Sequence, residues 1–95
     1  MRMKAKVDAN QTMIVNTLRT CGCEVESLAA VGNGVADLLV YHRATRQVFL
    51  IEVKDGEKVP SARRLTPDQL EWHTRWPVSI VENIEQAIAV VRAQA

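Results

Sequence analysis

Asp37, Glu52 and Lys54 are the residues of this chain whose types and spacing could do chemistry. They lie in the stretch 32–54, GNGVADLLVYHRATRQVFLIEVK, which holds two runs rich in Leu, Val, Ile, Phe and Tyr, 37–42 and 47–54. Each run is too short and too β-branched or aromatic for a helix. A polar link, Arg43-Ala44-Thr45-Arg46, joins them, so the pair reads as a β-hairpin. Side chains alternate along a strand, which puts Val48, Leu50, Glu52 and Lys54 on one face and Phe49, Ile51 and Val53 on the other. Asp37, Leu39 and Tyr41 share a face of the first run. With the turn centred between Ala44 and Thr45, Asp37 falls opposite Glu52. Like charges so opposed, with Cβ atoms about 4.5–5.5 Å apart, destabilise a sheet. A cation between them removes the conflict, and Mg²⁺ or Mn²⁺ suits a site of one or two carboxylates completed by water. Lys54 adds an ammonium on the same face and edge. Two carboxylates, a divalent ion and a lysine outline a phosphoryl-transfer site.

The flanking segments supply the elements that must hold this hairpin. Asp8 and Gln11 form a capping box that opens a helix, and Ile14, Leu18 and Cys21 make its apolar stripe before Gly22 ends it. Residues 23–29 alternate weakly through Val25 and Leu28 and read as a first strand. Val31-Gly32-Asn33-Gly34 is a loop, with Asn33 serving the turn. After Lys54 the segment 55–65, DGEKVPSARRL, has no periodicity and reads as an exposed loop with a basic end. Thr66-Pro67-Asp68-Gln69 starts a helix: a capping threonine, proline at the first position and glutamine at the third. That helix carries Leu70, Trp72, His73 and Trp76 and stops before Pro77. A short strand follows over 78–81. Asn83 with Gln86 then starts a last helix with Ile84, Ala87, Ile88 and Val91 on one stripe. The order α-β-β-β-α-β-α predicts an α/β fold, a small mixed sheet flanked by helices.

Ninety-five residues predict one domain spanning 1–95, with enough chain for a single core. The 47% hydrophobic and 24% charged content fits a folded chain and argues against disorder. A net charge of +1 gives no global basic field, so any nucleic-acid contact must come from local patches. No apolar run approaches the roughly 18 residues of a membrane span, and the polar start MRMKAKVDANQ lacks a signal-peptide core. Cys21 and Cys23 form a lone C-x-C without the partners of a zinc site. They read as free thiols in a reducing compartment, and a cytoplasmic location is expected.

With those residues in place, the sequence resembles the PD-(D/E)XK nuclease superfamily. Within it the chain looks most like small stand-alone, often phage-encoded, relatives of the virus-type replication-repair nuclease (VRR-NUC) domain. The resemblance is carried by Gly32-Asn33-Gly34-Val35-Ala36-Asp37-Leu38-Leu39-Val40, by Ile51-Glu52-Val53-Lys54 and by Leu65-Thr66-Pro67-Asp68-Gln69, and extends over nearly the whole chain. It implies a restriction-endonuclease-like fold, with Asp37 and Glu52 as metal ligands and the Val53 carbonyl completing the protein's share. It also implies Lys54 as the catalytic lysine, Gln69 as a further catalytic-site residue, and a homodimer acting on branched or paired DNA. Ala36 stands where the superfamily's name residue, proline, usually sits; that position is a backbone preference and carries no chemistry. Many members add a glutamate from the first helix. Here the candidates are Asp8, Asn10 and Gln11, none a clean replacement, and a one-metal site is the simpler expectation.

Phosphodiester hydrolysis needs an activated water, charge neutralisation at the phosphate and help for the leaving oxygen. Beside two carboxylates, Lys54 is better suited to electrostatic stabilisation than to acting as a base. Lys58, Arg63, Arg64 and His73 are candidate DNA contacts; contacts to phosphate position a substrate without reading its bases, so recognition of DNA shape is expected. Each of these has a plainer reading. Glu52 and Lys54 could be a solvated strand edge, Gln69 a capping residue only, Arg63-Arg64 solubilising charge, and His73 an ordinary surface or half-buried histidine. Trp72 and Trp76, one turn apart, read as core in preference to a base-stacking platform. The expected function is a metal-dependent, structure-selective DNA endonuclease. The alternatives are an inactive nucleic-acid-binding module of the same fold and an interaction protein using the exposed loop.

Overall fold

The computed structural model describes residues 9–93. The Asp8 cap expected at the first helix lies outside them. The elements run α1 (Ala9–Thr20), β1 (Cys23–Ser27), β2 (Leu38–His42), β3 (Gln47–Val53), α2 (Pro67–Arg75), β4 (Val78–Val81) and α3 (Ile84–Arg92). This is the expected α-β-β-β-α-β-α order. The loop before α2 is more ordered than its sequence suggests, because Pro60–Arg63 makes one 3₁₀ turn.

The strands form one sheet in the order β1-β2-β3-β4. The first three are antiparallel, and β4 joins β3 in parallel. A parallel neighbour requires a crossover, and the segment carrying α2 provides it. The hairpin has the expected register: Leu38 pairs with Ile51, Val40 with Phe49 and His42 with Gln47. Its turn closes with Arg46 N–H donating to the His42 carbonyl at 2.8 Å.

Alternation then divides the sheet into two faces. Cys23, Val25, Leu38, Val40, Ile51, Val53 and Val81 point to one side and are buried, with Ile14 and Leu18 of α1 and Ala87 and Val91 of α3 packed on them. Each of these side chains contributes about 1.5–3 kcal/mol by leaving water, apart from the smaller Cys and Ala. The other face carries Leu39, Val48 and Ile80, all exposed, and Glu52, which is buried. Helix α2 lies on that second face and has no buried residue of its own. Trp72 and Trp76 are therefore not core, contrary to the sequence expectation. Their rings stack on each other with centroids 5.2 Å apart, and Trp76 is 48% exposed.

Candidate active site

The site forms where β2 begins and β3 ends. Asp37 sits one residue before β2, its backbone carbonyl accepting from Leu28 N–H at 2.8 Å. Its carboxylate Oδ2 accepts from Val53 N–H at 2.7 Å, which ties it to the end of β3. Glu52, the next-to-last residue of β3, is only 2% exposed. One oxygen, Oε2, accepts from Gln69 Nε2 at 2.9 Å and lies 3.5 Å from Lys54 Nζ. The other, Oε1, has no hydrogen-bond partner. Lys54 Nζ in turn donates to Gln69 Oε1 at 3.1 Å.

Gln69 both caps α2 and touches the carboxylate cluster. Its backbone N–H donates to Thr66 Oγ1 at 3.2 Å and its Oε1 accepts from Thr66 N–H at 2.9 Å, a complete capping box. The same side-chain amide reaches Glu52 and Lys54. The helix start therefore also sets the geometry of the site.

Two supports were not visible as such in the sequence. Gly34, at φ +83°, lets the loop before β2 lie against the first turn of α2, where a Cβ would fall 2.3 Å from the Asp68 carbonyl oxygen. Only glycine accepts both that backbone angle and that approach. Asn10 on α1 is no carboxylate substitute: its Nδ2 donates to the Lys54 carbonyl at 3.2 Å and the Glu82 carbonyl at 3.1 Å. It clips the ends of β3 and β4 to the helix behind them. An amide on the inner face of the first helix was the available signal.

The electrostatics are those of two acids held too close. Burial first, and then the charge of Asp37, push the Glu52 carboxyl up to about 7, against a smaller opposing pull from Lys54. His73 Nε2 lies 3.8 Å from Glu52 Oε1, its side chain 10% exposed, and it too has no hydrogen-bond partner. Burial, then the Lys54 charge, hold the imidazole below its ordinary pKa. His73 thus sits inside the carboxylate cluster. Lys58 and Arg64 are exposed, whereas Arg63 is half-buried, with Nη1 donating to Glu82 Oε2 at 3.2 Å.

The donors fit a hard divalent cation. A buried carboxylate oxygen is left without a partner, and a second carboxylate beside it raises the cost of ionising both. Among the described residues no three His, Cys, Asp or Glu side chains converge into a preformed cage. Two carboxylates without a cage match the way Mg²⁺ binds, with few protein ligands and several waters, and do not match a closed zinc site. Cys21 and Cys23 are free thiols. No helix among the described residues is long and apolar enough to cross a membrane.

The chain is an α/β fold, a mixed sheet with helices on both faces and an acid pair at its central hairpin. More narrowly, the fold is VRR-NUC-like. The chain is similar to a solved structure titled "VRR_NUC domain" with a TM-score of 0.65 and 25% sequence identity, over 90% of this chain and 92% of that one. No family model matches the chain, and no curated protein matches it.

Proposed function

We propose that this protein is a divalent-metal-dependent endodeoxyribonuclease that selects DNA by structure, branched or junction DNA in particular. The observation that carries the reading is the buried Glu52 carboxylate beside Asp37, joined by Gln69 to Lys54. The similarity to a VRR_NUC domain supports a nuclease-type function for the same fold.

Asp37 and Glu52 would hold Mg²⁺ or Mn²⁺, with the Val53 carbonyl as a further oxygen donor. When bound, the ion supplies an acidified water and neutralises charge on the phosphoryl oxygens. Lys54 would stabilise the negative charge that grows on the phosphate in the transition state, its ammonium held by the hydrogen bond to Gln69. The short chain Lys54–Gln69–Glu52 couples the position of the lysine to that of the carboxylate. Lys58 and Arg64 are free to meet flanking phosphates, while Arg63 braces the loop through Glu82. Cutting both strands of a junction favours a homodimer, whose two-fold axis matches that of paired strands.

The test is cleavage of end-labelled linear, nicked, flapped and four-way-junction DNA with Mg²⁺ or Mn²⁺, beside Lys54→Ala and a chelator control. Internal cuts by the wild type alone, strongest on branched substrates, are expected. DNA binding in a gel shift with no cut on any substrate would point instead to a binding module.

A further inference from the structure

Gln69 accounts for one oxygen of Glu52, and the other oxygen faces His73. Glu52 Oε1 and His73 Nε2 are both buried and both lack a hydrogen-bond partner, 3.8 Å from one another. A buried polar atom left unpaired is costly, so each is expected to find a partner. The separation exceeds the roughly 2.9 Å of an N–H···O bond by less than about 1 Å. Gln69 and His73 are four residues apart on α2, so they project side by side from one face of the helix. Trp72 meets the imidazole edge-on, centroids 6.2 Å apart at 69°, and limits how far the ring can turn.

We infer that His73 is a positioning residue of this site, its Nε2–H holding the second oxygen of Glu52 while Gln69 holds the first. A carboxylate gripped at both oxygens has its plane fixed, yet each oxygen keeps a lone pair for a cation. His73 thereby sets the orientation in which Glu52 meets the metal; this rests on the reading of Glu52 as a ligand.

Two measurements on the full chain test this. The first is a long-range ¹H–¹⁵N spectrum of metal-free wild type at pH 8, where Glu52 is a carboxylate. The His73 ring is expected as the Nε2–H tautomer, with an Nε2 resonance that moves in Glu52→Gln. A ring protonated on Nδ1 alone, or one indifferent to Glu52→Gln, overturns the inference. The second is Mn²⁺ affinity, read from the free-ion electron paramagnetic resonance signal. His73→Leu, which keeps the volume but not the donor, is expected to weaken binding about tenfold. His73→Gln, whose amide reaches the same point, is expected to restore it. Packing alone would give the reverse order, with the Leu variant close to wild type, and that result also overturns the inference. Absence of Mn²⁺ binding by the wild type would defeat the metal reading alone, and the spectrum would still decide the role of His73.

Discussion

The two faces of the sheet are built on opposite principles. On one, α1 and α3 cover Val25, Leu38, Val40, Ile51, Val53 and Val81 with apolar side chains, and the buried cluster is contiguous. On the other, α2 contributes no fully buried apolar side chain, and the central strand buries a glutamate instead of a leucine or valine. The first face yields free energy on folding; the second costs it, because Glu52 must give up water beside another acid. The core face therefore supports a site that would not stand by itself. A variant should affect stability or chemistry according to the face it touches.

The largest effect expected is on the core face. Leu18 is fully buried in α1 against the sheet, and Leu18→Ala should cost about 2–5 kcal/mol of unfolding free energy in chemical denaturation. Residual folded protein should cleave at the wild-type rate per molecule. Lys54→Ala should do the opposite. Its cleavage rate should fall about 10²–10³-fold, as when one stabilising donor is removed from a transition state, with denaturation midpoints nearly unchanged. A Lys54→Ala protein that unfolds early would mean that the two faces are not separable.

The pH dependence sharpens the comparison. The Glu52 carboxyl is raised from 4.5 to about 7 in the fold, so between those values the native state holds a proton that the unfolded state has lost. Stability of the metal-free protein therefore falls as pH rises through this window, by up to about 3 kcal/mol. His73, held below its ordinary value, works the other way, since its charged form is favoured only on unfolding. The difference between wild type and Glu52→Gln isolates the acid: the variant should lose the decline and be the more stable protein at pH 8. Mn²⁺ binding should release a proton below about pH 7, and affinity should rise to that point and then level off. A flat difference across pH 5–8 would place Glu52 in a wetter setting than its burial implies.

The same contrast governs what could be read from the chain. Strand alternation and a four-residue link were enough to place Asp37 opposite Glu52, because register fixes every side chain of a hairpin at once. The helix starts at Thr66 and Asn83 were legible because capping is local: Asn83 Oδ1 does accept from Gln86 N–H at 2.8 Å. The reverse bond was not foreseen, since Gln86 Oε1 takes Glu82 N–H at 2.7 Å in place of that of Asn83. What failed depended on which face of the sheet an element meets. Two tryptophans one turn apart look like core, yet α2 lies on the face that carries Glu52, and they stack on each other with Trp76 exposed. His73 read as a phosphate contact or an ordinary histidine, because nothing local to α2 reveals the carboxylate beneath it. Asn10 and Gly34 depend on partners 44 and more residues away, or on a loop-to-helix approach, and no local pattern carries such information.

The smallest effect separates the two duties of one helix end. Thr66→Ala removes the hydroxyl that accepts from Gln69 N–H but leaves the Gln69 side chain free to reach Glu52 and Lys54. The loss of the cap should cost about 1 kcal/mol of stability. Cleavage should change little, since the amide keeps its partners on the sheet. Gln69→Ala removes the other half of the box and both site contacts together, so a similar loss of stability should come with a clear loss of rate. If Thr66→Ala slows cleavage as much as Gln69→Ala, the cap itself holds the amide in place. The Glu52 face would then be rigid only while the first turn of α2 is intact, and the helix start would belong to the catalytic apparatus.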